Sequence, residues 1–118
     1  MSADIVAAID LGSNSFHMIV ARIANGQVQV LDRLREMVQL AAGLDSRNRL
    51  SGESQQRALD CLARFGQRLR QIPPEQLRIV GTNTLRLARN SAEFLVRAEA
   101  VLGHTVEIIS GHEEARLI

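Results

Sequence analysis

The spacing of apolar and polar positions changes several times along this chain, and each change marks an element. Ile5-Val6-Ala7-Ala8-Ile9 is a continuous apolar run, the pattern of a buried strand. Asp10 to Asn14 interrupts it with turn-forming residues, and Ser15 to Ile23 resumes as β-type sequence. Asn25-Gly26 follows, the strongest short hairpin signal, because a type I′ turn needs two residues with positive φ. Gln27-Val28-Gln29-Val30-Leu31 then alternates polar and apolar and reads as the returning strand. After a Gly/Asp/Asn-containing loop from Ala41 to Asn48 the period becomes helical. Ser51 stands as an N-cap with Glu53 in the first turn. Ala58, Cys61, Leu62, Phe65, Leu69 and Ile72 recur at helical spacing up to the stop at Pro73-Pro74. Leu77 to Val80 predicts a short strand ending at Gly81, and Thr82 to Ala88 a short helical turn leaving it. Asn90 and Glu93 form the pattern of a capping box ahead of the stripe Phe94, Ala98 and Val101, which Gly103 closes. Thr105 to Ile109 reads as a last strand, and Ser110 opens a helix in which the sequence stops.

The predicted order is β-β-β-α-β-α-β-α, an α/β class. An antiparallel meander followed by α/β crossovers is the plan of the ribonuclease-H-like domain (the actin-like ATPase superfamily) used by actin, hexokinase and the large heat-shock chaperones. At 118 residues the chain suffices for one small domain. Its formal net charge of +1 carries no basic or acidic excess that would point to nucleic acid or a membrane as partner. With 3% aromatic residues and no Trp or Tyr, there is no stacking platform for single-stranded nucleic acid. The apolar run Ile5–Ile9 is too short for a signal peptide or a membrane span, and the single cysteine, Cys61, leaves no internal disulfide; both fit a cytoplasmic protein. All 14 cationic side chains are arginine, whose planar fork grips phosphate oxygens in pairs.

Three segments can carry chemistry, and all follow predicted strands. In Asp10-Leu11-Gly12-Ser13-Asn14-Ser15, a Gly/Ser turn can aim backbone N–H groups at an anion, with Gly12 allowing close approach and Ser13, Asn14 and Ser15 adding hydrogen bonds. Asp10 repels phosphate directly, so its sensible role is to hold a metal ion. The same residues also make an ordinary polar hairpin. In Gly81-Thr82-Asn83-Thr84-Leu85-Arg86, the hydroxyls and amide can donate to phosphate at a strand's carboxyl end, and Arg86 lies about one turn on. Thr82 or Asn83 can equally be a plain helix cap. In Ser110-Gly111-His112-Glu113-Glu114, Ser110 and Glu113 fit a capping box. Glu114 then points about 100° away around the helix, as a candidate general base or a solvated surface carboxylate. Cys61 reads as a small core residue. His17, His104 and His112 have no metal-site spacing. Arg33 and Arg35 alternate on or just past the third strand, facing either a phosphate-rich ligand or water.

Together these segments resemble the exopolyphosphatase and guanosine pentaphosphate phosphohydrolase (Ppx/GppA) family. The stretches that carry the resemblance are Ala8-Ile9-Asp10-Leu11-Gly12-Ser13-Asn14-Ser15-Phe16-His17-Met18, Val38-Gln39-Leu40-Ala41-Ala42-Gly43-Leu44, Val80-Gly81-Thr82-Asn83-Thr84-Leu85-Arg86, and Ile108-Ile109-Ser110-Gly111-His112-Glu113-Glu114-Ala115-Arg116-Leu117-Ile118. The resemblance implies an actin-like fold and Mg²⁺-assisted hydrolysis of a terminal phosphoanhydride, from inorganic polyphosphate or, alternatively, from pppGpp. It places the first phosphate loop on Asp10 to Ser15, the substrate-side arginine on Arg86 and the water-activating glutamate, also near the metal, on Glu114. An actin-like ATPase or sugar kinase and a non-catalytic polyphosphate-binding fragment are the competing readings. The family's second phosphate loop, a D-I-G-G-G-S stretch, is expected just beyond Ile118. Residues 1–118 therefore read as an N-terminal actin-like subdomain, expected to have little activity alone and to belong to a homodimer in full-length form.

Overall fold

The computed structural model describes residues 4–109. Its centre is a five-stranded sheet built from β1 (Asp4–Leu11), β2 (Phe16–Ala24), β3 (Gln27–Glu36), β4 (Leu77–Gly81) and β5 (Glu107–Ile108), in the order β3-β2-β1-β4-β5. The first three strands are an antiparallel meander, and β4 and β5 join parallel to β1. Helices α1 (Gly52–Gly66), α2 (Asn83–Leu87) and α3 (Ser91–Leu102) lie in the crossovers. This is the ribonuclease-H-like order predicted from the sequence. The last predicted helix, from Ser110 onward, lies outside the described residues.

Alternation along the strands separates two sheet faces. Ala7, Ile9 and Leu11 of β1, Phe16 and Met18 of β2 and Ile79 of β4 join one hydrophobic core with Ala58, Leu62 and Phe65 of α1 and Phe94 and Ala98 of α3. Ala8, Asp10, His17, Ile19, Arg33, Arg35 and Arg78 occupy the other face. The hairpin at Asn25-Gly26 has φ of 56° and 74°, the two positive values that a type I′ turn demands. Ser51 caps α1 as expected, its Oγ accepting from the Ser54 N–H at 3.0 Å.

The structure corrects several details. Strand β3 runs past Leu31 to Glu36, which puts Arg33 and Arg35 on the strand, because β2 supplies backbone partners up to Phe16↔Glu36, with one register shift at Val20/Ala21. Helix α1 ends at Gly66, not at Ile72; beyond it Arg68, Leu69 and Ile72 donate to Phe65, Gly66 and Leu69, i→i+3 bonds that tighten the chain into turns. Leu69 and Ile72 stay buried all the same, so the helical spacing misplaced the helix end but not the core. The capping box at Asn90 does not form. The Asn90 side chain instead accepts from the Leu50 N–H (2.8 Å) and donates to the Leu50 carbonyl (3.1 Å), tying the start of α3 to the loop before α1. The buried stripe of α3 is Phe94, Ala98 and Leu102, while Val101 is exposed. Strand β5 is only Glu107–Ile108. Cys61 is a core residue, as expected; burial and the neighbouring Glu36 carboxylate push its thiol far up, so it stays protonated.

Candidate functional site

The carboxyl ends of the parallel strands β1, β4 and β5 lie side by side, and the backbone links them. The Thr82 N–H donates to the Leu11 carbonyl (3.3 Å) and the Ile109 N–H to the Gly81 carbonyl (3.0 Å). Such a strand-end row is where open α/β sheets bind ligands, because loops leaving parallel strands on the same side converge there. The first two candidate segments meet at this edge. Ser110 to Glu114, including Glu114 itself, lies outside the described residues, directly after Ile109.

The β1–β2 loop is a tight turn. The Gly12 N–H closes it by donating to the Ser15 carbonyl at 3.1 Å. A Cβ at Gly12 would lie 2.9 Å from that carbonyl oxygen, so glycine is needed for the turn to close. The N–H groups of Ser13, Asn14 and Ser15 have no acceptor among the described residues. These are the donors that the loop can turn on an anion. Its side chains differ in their freedom. Asn14 is exposed. The Ser13 hydroxyl accepts from Thr84 Oγ1 at 2.7 Å, a bond that couples the loop to α2. Ser15 is buried, and its hydroxyl accepts from Arg35 Nε at 3.4 Å and faces Met37 Sδ at 3.3 Å.

Thr82 is almost fully buried, and its hydroxyl donates to the Leu11 carbonyl at 3.4 Å, so it laces β4 to β1. It occupies the N-cap position of α2 without a side-chain capping bond. Asn83 and Arg86 are exposed on α2. Arg86 donates to Asn83 Oδ1 (2.9 Å) and to the Ile109 carbonyl (2.6 Å), which places its guanidinium between α2 and the end of β5. A guanidinium has five N–H donors, so this bridge leaves several for an anion. Asp10, partly buried, stands on the sheet face away from the helices and lines a cavity of about 630 Å³ with His17, Arg33, Arg35, Arg78 and Thr82.

A second layer of residues holds the loop, and sequence reasoning assigned none of them a role. The Gln39 N–H donates to the Asn14 carbonyl (2.8 Å) and the Ala41 N–H to the Ser13 carbonyl (2.9 Å). Gln39 adopts a φ of 55°, a left-handed conformation that non-glycine residues seldom take and that here aims its amide at the loop. Arg57 of α1 braces this clasp, donating to the carbonyls of Val38 (3.2 Å) and Gln39 (3.4 Å) and to Ser54 Oγ (3.2 Å). In the sequence, Val38–Leu44 stands out only by its family resemblance. Its function is to clamp a loop about 25 positions away, which no local pattern encodes.

Gly43 closes the clasp against α1. A Cβ there would overlap the buried Ser54 side chain. Gly43→Ala is therefore expected to destabilise the protein by about 1–3 kcal/mol, since helix or clasp must shift. The denaturation midpoint measures this. Gly43→Ala combined with Ser54→Gly should recover most of the loss; a double variant no more stable than the single one would show that the overlap is not the cause.

The sequence model of the Ppx/GppA phosphatase family matches residues 19–118. The guanosine-5'-triphosphate,3'-diphosphate pyrophosphatase of Vibrio cholerae is 52% identical over 118 residues, covering 100% of this chain and 24% of that protein. The chain thus spans about a quarter of the length of the curated relatives it matches. The crystal structure of the Aquifex aeolicus member of the Ppx/GppA family superposes with a TM-score of 0.90 at 25% identity, over 98% of this chain and 38% of that one. An exopolyphosphatase from Cytophaga hutchinsonii superposes with a TM-score of 0.90 at 28% identity, over 98% of this chain and 37% of that one. With the family's sequence model matching most of its length and its strands superposing on those of family members, the chain belongs to the Ppx/GppA phosphatase family.

Proposed function

We propose that these residues form the phosphate-binding N-terminal part of a hydrolase that removes the terminal phosphate of pppGpp. The observation that carries this reading is the convergence at one sheet edge of a loop with three unused N–H donors, a carboxylate at Asp10 and the guanidinium of Arg86. The choice of pppGpp over inorganic polyphosphate is supported by the name of the Vibrio cholerae relative at 52% identity. The exopolyphosphatase of Cytophaga hutchinsonii, at 28% identity, supports polyphosphate as the second reading.

In this reading the N–H groups of Ser13, Asn14 and Ser15 orient the terminal phosphoryl group. Arg86, held by Asn83 and Ile109, offers its remaining donors to the charge that develops on the transferred phosphoryl oxygens. Glu114 takes the proton of the attacking water or orients it. The oxygen donors present fit Mg²⁺. Asp10 gives one hard carboxylate beside hydroxyls and peptide carbonyls, and Mg²⁺ is commonly held by one or two carboxylates together with water and substrate phosphates. Asp10, and Glu114 by the family resemblance, are the carboxylates that would hold the ion. Bound there, Mg²⁺ would supply charge neutralisation at the phosphoryl oxygens.

Phosphate release from pppGpp, long-chain polyphosphate and ATP by the full-length protein tests the assignment. The expected order of kcat/KM is pppGpp above polyphosphate, with ATP well below both. A higher kcat/KM for polyphosphate would reverse the choice of substrate, and ATP as the best substrate would remove the family activity from this protein.

A further inference from the structure

The sheet face turned away from the helices carries charge that the proposed hydrolysis does not use. Arg33 and Arg35 of β3 are two residues apart, so alternation sets both on this face, while Leu34 between them packs against the core. Arg35 is level with His17 on β2, which is in turn level with Asp10 on β1; Arg33 is level with Ile19 and then Ala8. The two arginines line the same cavity of about 630 Å³ as Asp10 and Thr82. Arg35 also reaches the phosphate loop, donating from Nε to Ser15 Oγ at 3.4 Å.

Of the three arginines that line this cavity, Arg33 and Arg35 differ from Arg78 in their charge balance. Arg57, Arg64 and Arg68 pair with Glu53, Glu36 and Asp32, and Arg78, at the other side of the cavity, pairs with Glu107. Among the described residues neither Arg33 nor Arg35 is in an ion pair with a carboxylate. With Arg78 paired to Glu107, the two guanidinium groups outnumber the one carboxylate of this cavity, Asp10, and raise the positive potential beside the loop. Residues i and i+2 of a strand stand roughly 6.8 Å apart, so the pair presents two forks in a line leading away from the loop. A linear chain of phosphoryl groups, anionic at each unit, matches that arrangement, because each fork can take two oxygens.

We propose that Arg33 and Arg35 form an anion subsite continuous with the Asp10–Ser15 loop, which grips the phosphoryl groups behind the terminal one. The proposal rests on the phosphatase reading above and deepens it. The ligand chemistry is a linear phosphoanhydride of three or more phosphates, whether inorganic polyphosphate or the 5'-triphosphate of a nucleotide. Affinity then increases with the number of consecutive phosphates, and the arginines act on binding rather than on the chemical step.

The test uses the full-length protein and the variants Arg33→Gln and Arg33→Lys, since it is Arg35 and not Arg33 that hydrogen-bonds to the loop, with Arg35→Gln as a second probe. Calorimetry with tripolyphosphate and with orthophosphate measures binding. Kinetics with long-chain polyphosphate and with pppGpp separates the two sources. The expected result is about a tenfold rise in the tripolyphosphate Kd for Arg33→Gln, the loss of one charged hydrogen-bonded contact. Orthophosphate binding and the thermal midpoint should not change. KM should rise by a similar factor with kcat within twofold, the salt dependence of binding should be shallower, and Arg33→Lys should recover part of the loss. A KM rise confined to polyphosphate identifies the inorganic chain as occupant; one confined to pppGpp identifies the nucleotide. Tripolyphosphate binding within twofold of wild type in both glutamine variants overturns the subsite. Wild-type protein that hydrolyses neither substrate overturns the phosphatase reading instead, and the calorimetry still decides whether the subsite exists.

Discussion

Glu114→Gln in the full-length protein is expected to lower kcat on its best substrate by about 10²–10⁴-fold, the usual contribution of a positioned general base. The substitution keeps size and planarity and removes only the ability to accept a proton as a carboxylate. Substrate is gripped in the proposed reading by the Ser13–Ser15 amides and Arg86, which Glu114 does not supply, so the Kd for pppGpp should stay within a few-fold. Single-turnover kinetics beside a binding isotherm measures both quantities. Turnover within tenfold of wild type would take the base role away from Glu114. A parallel loss of binding would assign it to holding the substrate or the ion. Glu113→Gln is the control: the sequence places Glu113 in a capping box with Ser110, a role that glutamine also fills, so kcat should change little.

Phe16→Ala is expected to have the largest effect on stability, about 3–5 kcal/mol, as for other fully buried phenylalanines. Phe16 is 0% exposed and opens β2 immediately after the β1–β2 loop. It stands level with Leu11 on β1 and Glu36 on β3, at the point where the loop, the end of β1 and the clasp meet. Deleting its ring leaves a cavity beneath the loop, so phosphate binding should weaken as well, although Phe16 offers an anion nothing. For a chain of this size the loss corresponds to a fall on the order of 10–20 °C in thermal midpoint. Phe16→Leu keeps most of the volume and should cost less than about 1.5 kcal/mol with binding retained. An alanine variant that binds tripolyphosphate normally would show that the loop is held by its clasp alone.

The legible parts of the fold were those with a local physical cause. The Asn25-Gly26 hairpin was readable because only a few residue types tolerate two successive positive φ values. The N-cap at Ser51 and the left-handed Gly103 after α3 were readable for similar reasons, each being a short-range hydrogen-bond or steric requirement. Asn90 shows the limit. Its position predicts a cap, but the two groups its amide satisfies belong to Leu50, forty residues away, and tertiary proximity overrode the local option. Val101 and Leu102 show it again: both suit an apolar stripe, and only the direction from which α1 packs against α3 decides which one is buried.

The site divides in the same way. Residue chemistry alone marked Asp10, Gly12 to Ser15, Thr82, Asn83 and Arg86, because turn residues and hydroxyls after a strand imply strand-end loops. Their division of labour followed from the tertiary structure. Thr82 laces two strands together, Ser15 is buried under Arg35, and the Gly12 N–H closes the turn, which leaves the three amides that follow it as the donors assigned to an anion in the proposed reading. The clasp of Gln39, Ala41 and Arg57 and the orientation of Arg33 and Arg35 toward the cavity also appear only when strands distant in sequence are set in register. Composition, turn chemistry and periodicity are properties of neighbouring residues, so the chain already carried its α/β order and the places where its loops fall. Among the described residues, which donor stays free and which arginine lacks an ion pair depend on contacts between elements 20 to 70 residues apart, and those exist only once the sheet has formed.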